Sequence, residues 1–253
     1  HEIADSKRGT QLSLALERLR KIAKDFQVIM LSATIGSPEK VKLLFCKDAE
    51  ILNAKEEKKI FIKVLYPKGE IVDEKVDLEP EIQGRIKAIK EILNKSKSVI
   101  IFTNTREFAE TLAHRIKTIF SDVRIGVHHS SLSKDVRIDV ERKFKEGKIK
   151  AIVSTSSLQL GIDVGSIDCI IQYQSPRQIV QLLQRVGRSG HKIEKISVGF
   201  IIATDELDLL ESAAIAKMAL EERIEEIRMF KKCWDVLAHQ TIGYCLDFFK
   251  PEI

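Results

Sequence analysis

A series of short, almost continuous apolar runs constrains the fold more than any other feature of the sequence. The runs have strand length and lie at 27–31, 98–102, 123–127, 150–154, 169–173 and 197–202. Such runs are typical of strands buried on both faces, because an exposed face would place polar residues at alternate positions. Between them, residues 105–120 and 133–145 repeat apolar side chains at intervals of four, which predicts amphipathic helices. This alternation predicts an α/β domain with a parallel sheet over residues 80–207.

The residues outside this domain divide into three further parts. The first 65 residues hold an amphipathic helix and two strands, near 27–31 and 60–64, which are too few to cover their own faces. We therefore interpret residues 1–65 as the back half of a preceding α/β domain. The polar stretch 66–79 is predicted to be a linker. Residues 208–253 are predicted to form a helical extension that begins another small domain.

The composition argues against several classes of protein. No apolar run approaches the roughly 18 residues of a membrane span, and the first residues lack the basic and apolar segments of a signal peptide. The four cysteines include no Cys-x-x-Cys pair, which is typical of reduced packing residues rather than of a metal site. The net charge of +5 permits a polyanionic partner without requiring one. We expect a cytoplasmic protein without a membrane anchor or bound metal.

The segment 174–191 carries the strongest functional signal. Ser175 followed by Pro176 predicts the start of a helix. The apolar stripe of this helix comprises Ile179, Leu182, Leu183 and Val186. The opposite side, which we expect to point away from the core, comprises Gln181, Gln184, Arg185 and, if the helix extends so far, Arg188. Because arginine binds phosphate through two nitrogens and keeps its charge, this side is predicted to contact phosphates in a cleft.

A solvated helix face would also explain these polar residues, but it would gain nothing from the glycines at 187 and 190. The sequence QRVGRSG (184–190) resembles the arginine-finger motif of superfamily 2 helicases. The resemblance implies that Arg185 and Arg188, with Gln184 beside them, act on the γ-phosphate of ATP held by another domain. It also implies a RecA-like fold, in which residues 80–207 are the second of two such domains, and the use of ATP with Mg²⁺.

Two further motifs follow the order of that family. LSATIGSPEK (31–40) resembles the motif in which Ser32 and Thr34 couple the state of ATP to the grip on nucleic acid. IFTNTREFAE (101–110) resembles the motif in which Thr103, Asn104 and Arg106 face the nucleic-acid backbone. Taken alone, the first is also compatible with a capped loop and the second with a helix cap at Thr105.

The next two motifs extend the resemblance. GVHHSSLSKDVR (126–137) implies that His129 and Ser130 contact nucleic acid; a metal pair is the alternative, but no third ligand has suitable spacing. STSSLQLGIDVGSID (154–168) implies that Thr155 binds a backbone phosphate at a helix N-terminus, while Gly161 and Asp163 lie toward the nucleotide. All motifs occur in family order, and their joint pattern is far more specific than any one of them.

Two segments narrow the resemblance to the Lhr (large helicase-related) group, namely SKRGTQLSLALERL (6–19) and WDVLAHQ (234–240). That resemblance implies that Lys7 and Arg8 lie on the nucleic-acid side and that a winged-helix domain follows the motor. His1 and Glu2 resemble the tail of the D-E-x-H box and are candidate catalytic residues, whereas the Asp and Glu of that box, which hold Mg²⁺ and the attacking water, are expected just before His1. No G-x-x-x-x-G-K-[ST] phosphate loop occurs in the chain. We therefore expect an N-terminally truncated motor that does not hydrolyse ATP alone.

The partner implied by the Lhr resemblance is DNA, tracked in the 3′-to-5′ direction by a monomeric motor, although the residues themselves do not separate DNA from RNA or a hybrid. Contacts to the backbone predict binding that is indifferent to base sequence and sensitive to salt. The alternative is a non-enzymatic nucleic-acid-binding module with the same fold. An unrelated Rossmann-type transferase would need a glycine-rich turn after its first strand, and the sequence has none.

Overall fold

The computed structural model describes residues 3–23, 25–32, 34–53, 59–159, 165–190, 196–228 and 230–249. These residues form eight helices: α1 (Lys7–Ile22), α2 (Pro38–Phe45), α3 (Pro80–Lys95), α4 (Arg106–Ile119), α5 (Lys134–Lys145), α6 (Ile179–Val186), α7 (Glu206–Leu220) and α8 (Trp234–Phe248). They also form six strands: β1 (Ile60–Leu65), β2 (Val99–Phe102), β3 (Ile125–His128), β4 (Ala151–Ser154), β5 (Cys169–Tyr173) and β6 (Ser197–Ile202). The chain divides into a large unit, Glu56–Arg223, and a small unit, His1–Lys55 with Ile224–Ile253.

The large unit contains one six-stranded sheet in the order β1-β6-β5-β2-β4-β3, and every pairing is parallel. The predicted α/β domain with a parallel sheet is confirmed. Parallel neighbours require a crossover, and the helices between the strands supply it. Because all strands run the same way, their carboxyl ends meet at one edge of the sheet. The turns that follow β2, β3 and β4 therefore lie side by side.

Both faces of the sheet are covered, which explains why its strands are apolar throughout. Val99 and Ile101 of β2 belong to a core formed with α3 and α4. Ile100 and Phe102 of the same strand belong to a second core formed with α5. A third cluster joins α6 and α7 to β1 and β6. Each fully buried isoleucine or phenylalanine contributes about 1.5–3 kcal/mol, so the two-sided core holds the sheet edge rigidly.

The strand at 60–65 corrects the predicted domain boundary. It does not join a preceding domain, because β1 pairs along its whole length with β6, from Ile60 opposite Ser197 to Leu65 opposite Ile202. The sequence signal for this strand is right, but its partner lies 137 positions later, from Ile60 to Ser197, which local patterns do not reveal. The helix α7 also belongs to the large unit, packing on β1 and α6, so the extension expected from residue 208 begins instead at Ile224.

The small unit is built from α1, α2 and α8 around a modest apolar cluster. The strand predicted at 27–31 is not formed: residues 25–32 have no regular secondary structure, and Ile29 and Leu31 are mostly exposed. A strand needs a neighbour for its backbone hydrogen bonds, and the described part of the small unit contains none. Among the described helices of both units, none has the length and apolar character needed to cross a bilayer.

Candidate functional site

The helix α6 begins later than its sequence suggests. Ser175 and Pro176 precede it, and Gln178 is its N-cap, so the predicted start at Ser175 is wrong. Gln174 and Arg177 have φ values of 68° and 66°, in the left-handed region that a side chain disfavours. The peptide N–H of Ser175 donates to the buried Asp208 carboxylate at 2.7 Å, which holds this irregular turn in place.

The predicted apolar stripe of α6 is confirmed, since Ile179, Leu182 and Val186 are buried against β6 and α7. The predicted outward orientation of its polar side is wrong for two of its four residues, Gln184 and Arg185, whereas Gln181 and Arg188 are half-buried. Gln184 and Arg185 are only 7% and 3% exposed. Gln159 in the turn that follows β4 and Gln172 of β5 hydrogen-bond to this side of the helix, so Gln184 and Arg185 point into the large unit.

Arg185 is enclosed by glutamines. Its Nε donates to Gln159 Oε1 at 3.2 Å, Nη1 to Gln172 Oε1 at 2.6 Å and Nη2 to Gln181 Oε1 at 3.0 Å. The guanidinium also lies over the Phe102 ring, with its Cζ 5.2 Å from the ring centroid. Burial lowers the pKa of Arg185 to about 10, so the group stays charged at neutral pH.

Arg188 is half-buried and lies just beyond the end of α6. Its Nε donates to the backbone oxygen of Gln159 at 2.8 Å, and burial lowers its pKa. Within the described ranges, neither Arg188 nor Arg185 has a carboxylate partner, and the Nη atoms of Arg188 donate to no protein group. Two positive charges without an acid in a poorly hydrated site favour an anion nearby. We call Arg185, Arg188, Gln159, Gln172 and Gln184 the arginine–glutamine cluster.

Two of its members, Gln159 and Gln172, are absent from the sequence prediction. Gln172 is fully buried in β5, where it interrupts an otherwise apolar run, and Gln159 is 3% exposed. A polar residue inside a buried strand has to find a partner, and that signal was available in the sequence. The identity of the partner was not. Four predicted residues, His1, Glu2, Gly161 and Asp163, lie outside the described part of the chain.

The second group of predicted residues follows the carboxyl ends of the strands. Asn104 comes after β2, Ser130 after β3 and Thr155 after β4, and these strands are neighbours in the sheet. Arg106 opens α4 and is exposed, with Nη1 donating to Ser131 Oγ at 3.0 Å. Ser130 is exposed, whereas Asn104 and Thr155 are half-buried. We call Asn104, Arg106, Ser130 and Thr155 the carboxyl-edge surface.

Two residues expected on this surface are turned inward. Thr103 is 1% exposed, and its hydroxyl donates to the backbone oxygen of Thr105 at 3.0 Å. His129 is 6% exposed and its Nε2 lies 2.9 Å from Glu110 Oε1. The predicted contact of either side chain with nucleic acid is therefore corrected. Thr105 caps α4 by accepting from the peptide N–H of Phe108 at 3.2 Å, as the helix-cap alternative predicts.

His128 joins α5 to the turn that carries Thr155. Its Nε2 is 2.8 Å from Glu141 Oε1 and its Nδ1 is 2.8 Å from Ser157 Oγ. The ring is fully buried, and burial lowers the pKa of His128 below 6.5 although Glu141 acts in the opposite direction. The neutral imidazole thus connects the rigid helix to the Thr155 turn. The sequence prediction noted the histidine pair but gave no role to this member.

In the small unit, the predicted residues have other neighbours. Lys7 Nζ forms an ion pair with Asp235 at 2.9 Å, and this hydrogen bond raises the pKa of Lys7. Arg8 is exposed. Ser32 is exposed and its hydroxyl donates to the backbone oxygen of Thr34 at 3.2 Å, while Thr34 itself is half-buried. Arg8 and Ser32 are thus accessible to solvent, whereas the Lys7 ammonium is paired with Asp235 at the surface.

Comparisons with known proteins show which proteins the chain is similar to. Residues 84–192 match the helicase conserved C-terminal domain. The chain is 38% identical over 260 residues to an ATP-dependent helicase Lhr-Core of Methanothermobacter thermautotrophicus, covering 98% of the chain and 30% of that protein. It is 42% identical to another of Saccharolobus solfataricus, covering 97% and 29%. The chain is similar, over almost its whole length, to part of these Lhr helicases of superfamily 2. The resemblance stated from the motifs is confirmed.

Solved structures agree with this assignment. The helicase Lhr of Mycobacterium smegmatis, bound to ssDNA and AMP-PNP, superposes with a TM-score of 0.85 at 32% identity, covering 97% of the chain and 33% of that protein. The expected RecA-like fold of a helicase C-terminal domain is confirmed for this chain. The chain spans about 30% of the length of the curated relatives it matches. These similarities concern the chain as a whole and assign no role to a single residue.

Proposed function

We propose that the chain is part of an ATP-dependent helicase that moves along DNA in the 3′-to-5′ direction. The observation that carries the proposal is the arginine–glutamine cluster. It holds two cations without an acidic partner among the described residues, inside a domain similar to proteins named ATP-dependent helicases. A site of this kind gains most from an anion with several oxygens, and the γ-phosphate of ATP is such an anion.

Arg188 is the residue proposed to meet that phosphate. Its Nε is fixed on Gln159, and its Nη atoms remain to donate to phosphate oxygens. Arginines in this role stabilise the charge that develops during phosphoryl transfer and increase the rate by about 10³–10⁵-fold. ATP would enter with Mg²⁺ held by an Asp and a Glu that belong to the complete protein and are not among these 253 residues, and His1 and Glu2 are proposed to take part beside them in catalysis. Gly161 and Asp163 are proposed to lie toward the same nucleotide, on the strength of the motif alone.

The carboxyl-edge surface is proposed to hold one strand of nucleic acid. Arg106 supplies a cation, while Asn104, Ser130 and Thr155 supply amide and hydroxyl donors along neighbouring strands. These groups suit phosphate and sugar oxygens, so binding is expected to be independent of base sequence. The binding of ssDNA by the Mycobacterium smegmatis relative supports DNA as the track. Ser32 and Thr34 are proposed to couple the two sites, with Arg8 and, after release from Asp235, Lys7 on the nucleic-acid side.

The proposal extends to the working state of the protein. A monomeric motor is sufficient, because the family mechanism uses two domains of one polypeptide. We also propose a cytoplasmic location, since all four cysteines are unpaired thiols, as is usual in a reducing compartment.

Unwinding by the complete helicase tests this function. Partial DNA duplexes with a 3′ tail, a 5′ tail or no tail are incubated with and without ATP. We expect ATP-dependent strand separation only with the 3′ tail, and no ATP hydrolysis by the 253-residue chain alone, because it contains no phosphate loop. Unwinding from the 5′ tail would overturn the polarity. Strand binding by the complete protein without any ATPase activity would instead favour a non-enzymatic nucleic-acid-binding module.

A further inference from the structure

Gln159 is hydrogen-bonded to both Arg185 and Arg188. Its side-chain oxygen accepts from Arg185 Nε at 3.2 Å. Its backbone oxygen accepts from Arg188 Nε at 2.8 Å. One residue in the turn after β4 therefore bonds to both cations, by two different groups.

Arg185 itself is poorly accessible to a ligand. Three of its five N–H groups already donate to glutamines, and the side chain is 3% exposed beside Phe102. A phosphate could reach the other two N–H groups only if the side chains that bury the guanidinium moved aside, and each glutamine hydrogen bond broken in doing so would cost about 1–3 kcal/mol. Contact with substrate is thus disfavoured at Arg185.

Both polar atoms of the Gln159 side-chain amide are hydrogen-bonded to α6. While Oε1 accepts from Arg185, Nε2 donates to Gln184 Oε1, so two residues of α6 fix the one side chain. The side chain in turn limits where its own backbone oxygen can lie, and that oxygen receives Arg188. Loss of the Arg185 bond is therefore transmitted to Arg188 over a path of two hydrogen bonds.

We propose that Arg185 is a positioning residue, which fixes Gln159 so that Gln159 orients Arg188 toward its anion. The inference deepens the proposed function and rests on it for the identity of the anion, but the Arg185–Gln159–Arg188 connection is a property of the chain itself. A purely structural Arg185 would stabilise the fold without affecting the environment of Arg188. The two roles differ in a measurable way.

The Arg188 Nε–H group gives a direct readout by NMR of the ¹⁵N-labelled chain, with Arg188→Lys identifying its signal. We expect slow hydrogen exchange in the unaltered chain. In Arg185→Met, which keeps the bulk of the side chain, and in Gln159→Ala, the signal should move to the position of a free arginine and exchange fast. Gln181→Ala is the matched control, because it removes another glutamine from Arg185 and leaves the path to Arg188 intact.

Melting curves separate unfolding from loss of position. If Arg185→Met remains folded and the Arg188 signal keeps its place and slow exchange, the inference is overturned. If Arg185→Met does not fold, Gln159→Ala decides, since it breaks the path without removing a buried cation. An unchanged Arg188 signal in Gln159→Ala overturns the inference equally.

ATPase assays on the complete helicase provide the second test. Arg185→Met should lower kcat about 100-fold, the scale expected when a reacting group is misplaced by about 1 Å, and leave the KM for ATP unchanged. The double variant Arg185→Met/Arg188→Ala should be no slower than Arg188→Ala alone, because both changes remove one action. A further large loss in the double variant would show that Arg185 contacts the nucleotide independently and would overturn the inference.

The two tests fail separately. If Arg188→Ala leaves ATP hydrolysis intact, the proposed nucleotide role of Arg188 fails, and the NMR comparison alone then decides whether Arg185 positions it. If hydrolysis depends on Arg188 but its Nε–H signal is indifferent to Arg185 and Gln159, the proposed function stands and the positioning role is lost.

Discussion

The arginine–glutamine cluster and the carboxyl-edge surface lie in the same sheet domain but are built in opposite ways. In the first, Arg185 is 3% exposed and its hydrogen bonds go to neutral glutamines. In the second, Arg106 is exposed and bonds one surface serine. Dry, immobile charges stabilise a transition state because they need no rearrangement as charge develops. Exposed charges suit a long polyanion that must bind, slide and leave.

This difference predicts that changes in the two regions affect different measurements. Alterations of the buried cluster should act on the rate of ATP hydrolysis. Alterations of the exposed surface should act on the affinity for nucleic acid and on its dependence on salt. The following variants, in order of decreasing effect, test that separation.

Arg188→Ala should have the largest effect. In the complete helicase we expect kcat for ATP to fall by about 10³-fold or more, with the dissociation constant for single-stranded DNA nearly unchanged, because Arg188 is not one of the residues of the carboxyl-edge surface. Steady-state ATPase assays and fluorescence anisotropy measure the two quantities. Arg142→Ala, which removes an equal charge from the surface of α5, is the control and should preserve both. An equal loss of ATPase and strand binding in Arg188→Ala would contradict the separation.

Arg106→Ala should have a smaller effect, confined to nucleic acid. Loss of one charge-assisted contact to phosphate is expected to weaken strand binding about tenfold, equivalent to about 1.4 kcal/mol. The slope of log K against log salt should become shallower by about 1. Titrations of the complete helicase with single-stranded DNA at several salt concentrations measure both, again with Arg142→Ala as the charge control. Unchanged affinity and slope would exclude Arg106 from the interface.

His128→Gln should have the smallest effect and tests what supports the exposed surface. Because the folded-state pKa of His128 lies below its ordinary 6.5, the unfolded chain takes up a proton more readily, and stability contributed by the neutral ring is lost as the pH falls through 6.5. Glu141 and Arg137 are the charged groups that act on the ring, with opposite signs. Thermal melts from pH 8 to pH 5 should show this loss in the unaltered chain.

In His128→Gln the decrease between about pH 6.5 and pH 5 should vanish, because the titrating group is gone. The variant should also be less stable than the unaltered chain at pH 8, by about 1 kcal/mol for one missing hydrogen bond. A pH dependence that persists unchanged in the variant would assign it to another group. Strand affinity at pH 8 should fall only slightly, since Ser157 can still bond the His128 position through the backbone oxygen.

The residues of the candidate site differ in how much of their structure the sequence predicts. The Thr155 turn is recognisable because a strand end followed by small polar residues has few structural solutions, and the QRVGRSG motif is recognisable because its arginines and glycines are contiguous in the sequence. The orientation of Arg185 is not recognisable in this way. Helical periodicity places it opposite the apolar stripe, but whether that side meets solvent depends on a turn more than twenty residues earlier in the chain.

The sequence by itself determined the parallel α/β domain, the apolar face of α6 and the resemblance to Lhr helicases, because these depend on local periodicity and on contiguous motifs. Only the tertiary structure decided that β1 pairs with β6, that residues 25–32 are not a strand, and that Thr103, His129, Gln184 and Arg185 are buried. The physical reason is the same in each case. Pairing and burial are set by which distant segment covers a residue, and a periodic pattern describes only the segment that contains it.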